Sequence, residues 1–77
     1  MTQNDPSYGD RAVGLTFNPG GDPRVFSAKQ TYAMLIDDLD ELRGNSTDPE
    51  VKRMASIAIT EVQTAQMWHI KLLTWKS

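Results

Sequence analysis

From Val51 to Leu72, side chains recur at strict alternating steps of four and three residues: Val51, Ala55, Ala58, Val62, Ala65, His69 and Leu72. That spacing predicts a helix with one packed seam. The same stretch also carries apolar residues off the seam, with Met54, Ile57, Trp68 and Trp75 to one side and Ile59, Ile70 and Leu73 to another. A helix that is apolar most of the way round must be buried most of the way round. A chain of 77 residues cannot meet that demand alone, since it buries only about 60% of its unfolded surface and draws ~3–5 kcal/mol from its core. It has no cysteine for disulfides, and one histidine without cysteine excludes the common structural zinc sites. The sequence therefore predicts an all-α chain that assembles as a compact homo-oligomer.

The rest of the chain fits one domain over 1–77. Three of the four prolines and four of the five glycines fall in 1–23, so 1–21 reads as an extended N-terminal arm, with Val13, Leu15 and Phe17 at alternate positions to pack on something. A first helix is predicted over 22–43: Asp22 caps it, Pro23 takes its first position, and Val25, Ala28, Tyr32, Leu35, Leu39 and Leu42 form its stripe up to Gly44. A second helix over 48–75 follows a Thr47 to Glu50 capping box, with Pro49 in its first turn. The short connection makes the two helices antiparallel, so the predicted unit over 22–76 is a helical hairpin.

The net charge of −2 argues against a general coat for duplex DNA or RNA. No apolar run approaches the ~18 residues of a membrane span, and the polar opening does not read as a signal peptide, so a cytoplasmic location is expected. Charge order is conventional in the second helix and inverted in the first, where Arg24 and Lys29 sit near the positive end and Asp37, Asp38, Asp40 and Glu41 near the negative end. Asp40 and Glu41 are expected to face Lys52 and Arg53 across the hairpin. The opposite pole gathers Arg11, Arg24, Lys29, Lys71 and Lys76 against Asp5, Asp10 and Asp22, and cations around a helix N-terminus suit an anion such as phosphate. Tyr8, Phe17, Trp68 and Trp75 are assigned to the same pole, as faces on which nucleobases stack. Packing is the plainer role for Phe17, Trp68 and Trp75, and a hydrogen-bonded core position the plainer role for His69. Lys71 and Lys76 read mainly as helix-end cations, while Arg11 and Lys29 are open between ligand contact and surface charge. The candidate ligand-binding residues are Tyr8 and Lys29, with Arg11, Thr16, Asn18 and Arg24 around them.

No catalytic set is legible. Cysteine is absent, no carboxylate pair marks a cleft, and the one histidine has no metal-ligand spacing. Asn18-Pro19-Gly20-Gly21-Asp22 lacks the lysine and hydroxyl of a P-loop. The chain is expected to be no enzyme and to need no cofactor or metal.

Two stretches carry a resemblance: Arg11-Ala12-Val13-Gly14-Leu15-Thr16-Phe17-Asn18-Pro19, and the segment 55–71 with Ala65, Met67, Trp68 and Lys71 at its distinctive end. Together they resemble the helical-hairpin family of phage proteins that sequester cyclic oligonucleotides to silence CBASS immunity, a hairpin shared with Thoeris-inhibiting sponges. His69 stands where the resemblance leads one to expect a small residue. The resemblance implies a non-enzymatic sponge in the cytoplasm of an infected bacterial host, hexameric as in characterised relatives, holding cyclic di- or trinucleotides in pockets shared between protomers. It also implies ligand roles for a tyrosine of the arm and a lysine of the first helix, here Tyr8 and Lys29. Thoeris sponges for cyclic ADP-ribose signals usually carry an added β-rich portion that this chain has no room for, which favours the CBASS type. The rival from another class is a small oligomeric adaptor that inhibits a host protein by direct contact.

Overall fold

A computed structural model describes residues 5–76 of the chain. Every regular element among them is a helix: α1 (Tyr8–Val13), α2 (Pro23–Asn45) and α3 (Pro49–Leu73). Asp22 opens α2, its carboxylate accepting the Arg24 N–H at 2.8 Å, and Asp48 opens α3 by accepting the Glu50 N–H at 2.9 Å. Pro23 and Pro49 follow these caps, where their missing donors cost nothing. The cap of α3 is thus Asp48, not Thr47, because a carboxylate directly before the proline already reaches the free donor. Gly44 does not end α2. The helix continues through it to Asn45 and stops where Ser46 turns extended.

The arm is not wholly extended, contrary to the sequence expectation. Ser7 Oγ accepts the Asp10 N–H at 3.0 Å, and the Asp10 carboxylate accepts the Ser7 N–H at 3.1 Å, a reciprocal capping box that starts α1. Gly14 ends it with φ +61°, a left-handed conformation that only glycine adopts without cost. A six-residue helix is too short to show an apolar period, and the flanking prolines and glycines hide it. Ser7→Ala should cost about 1 kcal/mol, within the 0.5–2 kcal/mol of lost caps. The loss should fall on α1 alone, read as faster amide exchange at Asp10 and Arg11 with α3 unchanged.

α1 runs antiparallel across α2, with Gly9 against Ala33 and Asp37 and its far end near Lys29. Val13, Ala33, Ile36 and Ile59 form the centre, and Ile36, at 0% exposure, is the one large side chain fully out of water among the described residues. α3 does not bury its predicted seam throughout. Ala55 faces inward as expected, but farther along Ile59 and Gln66 are buried while Ala65 and Leu72 are exposed. A straight helix has 3.6 residues per turn, so a seam spaced at 3.5 drifts by about 20° per heptad off the contact line. On α2, Leu35 and Leu42 of the predicted stripe are exposed, while Ala33 and Ile36 are buried because α1 covers a second side of the helix.

The three helices lie side by side in a single layer. The Cα extents are 46 × 32 × 13 Å, and the radius of gyration of 13.8 Å exceeds the ~11.5 Å of a compact chain of this length. A single layer has no second layer to cover its faces.

Candidate ligand-binding site

Lys29 is the buried cation of the described residues, 5% exposed. Its ammonium donates to the carbonyls of Gly14 at 3.0 Å and Phe17 at 2.6 Å, and lies 5.5 Å from the centroid of the Phe17 ring. Two of its three protons are thereby engaged, leaving one donor. Loss of water around the charged form pulls its pKa below the ordinary lysine value. The loop between α1 and α2 reaches the lysine because Gly14 and Gly21, at φ +61° and +66°, turn the chain at either end. Phe17 sits on top, 71% exposed, over a recess of about 360 Å³ lined also by Asn18, Val25, Lys29, Ile70 and Thr74. Asn18 is held toward the start of α2 by donating its Nδ2 to the Asp22 carbonyl at 2.9 Å.

Only Lys29 and Asn18 of the six candidates share that recess. Arg11 and Thr16 line a neighbouring recess of about 340 Å³ with Asp10 and Leu15, and Arg11 Nη1 donates to the Pro6 carbonyl at 3.1 Å. Arg24 pairs with Asp22 at 2.8 Å, which holds the Asp22 carboxyl below its usual range, and also donates to the Leu73 carbonyl at 3.0 Å. The cation at the start of α2 is therefore answered inside the chain, by its own cap and by the end of α3. No outside anion is needed to explain Arg24.

Tyr8 is not at that pole within one chain. It lies near the far end of α2, its ring 5.5 Å from the guanidinium of Arg43, which also pairs with Asp40 at 2.6 Å and donates to Ser56 Oγ at 3.0 Å. The contact of Arg43 with Tyr8 was not legible in the sequence, because arginine in the last turn of a helix reads as a complement to the dipole. The expected charge pairs across the hairpin are also different: Asp40 pairs with Arg43, Glu50 with Arg53, and Lys52 donates to the Arg43 carbonyl at 3.0 Å. Pairs three residues apart on one helix are already in reach, so Asp40 of the acidic end of α2 is answered by Arg43 on its own helix.

His69 is half-buried, its Nδ1 2.8 Å from the Tyr32 hydroxyl, with the two rings edge to face. Lys71 lies between two indoles, 5.2 Å from Trp68 and 5.7 Å from Trp75, on a shallow recess of about 270 Å³ that Leu72 completes. Among the described residues no group of three His, Cys, Asp or Glu side chains is placed to hold a metal ion, and no helix is long and apolar enough to cross a membrane.

No protein family, no curated protein and no solved structure matches the chain.

Proposed function

We propose that this protein is a non-catalytic sponge that binds cyclic di- or trinucleotides as a homo-oligomer and withholds them from the effectors of bacterial CBASS immunity. The observation that carries the reading is Lys29, a cation held out of water beneath an exposed phenylalanine with one donor unspent. A phosphodiester next to a nucleobase is the ligand chemistry that uses an ammonium and an aromatic face together. The recess is at the low end of the ~300–1,000 Å³ of small-molecule sites, so a cyclic oligonucleotide needs walls from a second protomer. Tyr8, remote from Lys29 in its own chain and 39% exposed, is available to supply such a wall to a neighbour.

Calorimetric titration against cyclic dinucleotides, cyclic trinucleotides and cyclic ADP-ribose isomers tests the reading. Saturable binding to the first or second group is expected, with intact cyclic ligand recovered after long incubation and heat release. Binding confined to cyclic ADP-ribose isomers would move the protein to Thoeris signals. No binding by any ring, with a stoichiometric host protein captured instead, would favour the adaptor. Protein-dependent appearance of linear product would end the non-enzymatic reading.

A further inference from the structure

The edge of α3 that faces away from α2 carries a second seam. From Met54, steps of three and four residues lead through Ile57, Glu61 and Ala65 to Trp68, Leu72 and Trp75, and all seven are exposed, Leu72 at 76%. This is the spacing by which one helix packs along another. At its two ends lie two recesses, one lined by Ile57, Thr60 and Glu61, the other by Trp68, Leu72 and Trp75. The apolar side chains of the seam expose on the order of 600 Å², close to the ~800 Å² per partner of a standard interface.

The seam is interrupted by Glu61, which has no ion-pair partner among the described residues. Ten residues on, Lys71 likewise pairs with no carboxylate side chain among the described residues and lies against two indoles. A partner laid parallel and in register would set Glu61 against Glu61 and align the two helix dipoles, both unfavourable. An antiparallel copy removes both problems. With Met54 set against the partner's Trp75, Ile57 meets the partner's Leu72 and Glu61 meets the turn holding the partner's Trp68 and Lys71. The small Ala65 then lies at the two-fold axis, where the backbones approach most closely.

We infer that the outer edge of α3 is the surface on which a second copy of this chain docks, antiparallel, its register set by Glu61 of each copy reaching the partner's Lys71. This rests on the self-association proposed above and is independent of the ligand. The two charges select orientation more than they add affinity.

The absence of native cysteine makes disulfide trapping clean. Ala65→Cys alone should form a covalent dimer under mild oxidation. Ile57→Cys alone should not, because two copies of that residue stand about 22 Å apart in the antiparallel pair at 1.5 Å rise per residue, far beyond disulfide reach. Ile57→Cys combined with Leu72→Cys should trap the dimer. In unlinked protein, Glu61→Lys and Lys71→Glu should each weaken dimerisation at least tenfold by sedimentation, and the double variant should recover most of it. Efficient linkage through Ile57→Cys alone would overturn the orientation. A monomer of 8.6 kDa at micromolar concentration would overturn the interface together with the self-association. An oligomer in which none of the cysteine variants links would overturn the interface alone, leaving the sponge reading to its own titrations.

Discussion

Replacing Gly9 with alanine should release α1 from the hairpin. A Cβ at this position would lie 2.0 Å from the carbonyl oxygen of Ala33 and 2.8 Å from its carbon and from Asp37 Oδ1. The nearest obstacle is backbone in the middle of α2, which cannot step aside as a side chain can. The Gly9 N–H also donates to Asp37 Oδ1 at 2.7 Å, a bond that fails if α1 moves outward. Overpacking of this kind costs ~1–3 kcal/mol even where side chains can adjust, and the whole core of so small a chain supplies ~3–5 kcal/mol. Amides of α1 should therefore lose their exchange protection and Val13 its burial, while α2 and α3 keep their helical signal. Gly44→Ala is the matching control: nothing lies within 4 Å of its Cβ position and it sits inside α2, so alanine there should raise stability by ~1 kcal/mol. If Gly9→Ala melts like the parent and keeps α1 protected, the close approach does not exist in solution.

Lys29→Met should have the largest effect on ligand binding. Methionine keeps the stem inside the recess and removes the charge, so the loss reads the ammonium and not a cavity. A hydrogen bond to a charged group contributes ~1.5–3 kcal/mol, which predicts binding roughly 10- to 150-fold weaker for the tightest cyclic oligonucleotide. Losing a phosphate contact should also flatten the dependence of affinity on salt. Tyr8→Ala should weaken binding by about five- to 150-fold, the worth of one stacked base, and leave the salt dependence as it was. Because Lys29 also grips the Gly14 and Phe17 carbonyls, its loss should loosen the loop, visible as faster exchange at Phe17, whose N–H donates to the Gly14 carbonyl at 2.9 Å. Binding by Lys29→Met equal to the parent at every salt concentration would place the phosphate elsewhere, with Trp68 and Lys71 the next residues to examine.

Those elements were legible whose signals are local. Asp22-Pro23 marks the start of α2 by chemistry within three residues, the start of α3 was placed to within one residue of its true cap, Asp48, and the short connection between the helices dictates an antiparallel pair. The hairpin follows directly. What could not be read was anything decided by a second contact on the same element: α2 is packed on two sides, so Val25 and Ala28 of the predicted stripe are buried, but Ala33 and Ile36 join them while Leu35 and Leu42 stay exposed. α1 had a sequence sign after all, Ser7 three residues before Asp10, but surrounding turn residues outweighed it. At the candidate site, Lys29 was found through its charge at the wrong end of a helix, whereas its burial and its grip on two carbonyls depend on a loop that no periodicity describes. Tyr8 was grouped with it by composition. The direction in which α1 crosses α2 separates the two, and no residue of the arm announces that direction.

Gly9 and its few core neighbours have a consequence for how this fold can drift. Among the described residues the buried apolar set is made only of valine, alanine and isoleucine, and it is small: Val13, Val25, Ala28, Ala33, Ile36, Ala55 and Ile59. A glycine fixed by backbone contact and a handful of small side chains leave most surface positions free to change with little effect on folding. Lineages descended from a common three-helix ancestor of this kind would diverge quickly in overall identity. Their shared ancestry would persist longest in spacing: a close-approach glycine on a short first helix, an Asp-Pro start to each of the next two, and a small residue on the second helix, here Ala33, opposite the glycine.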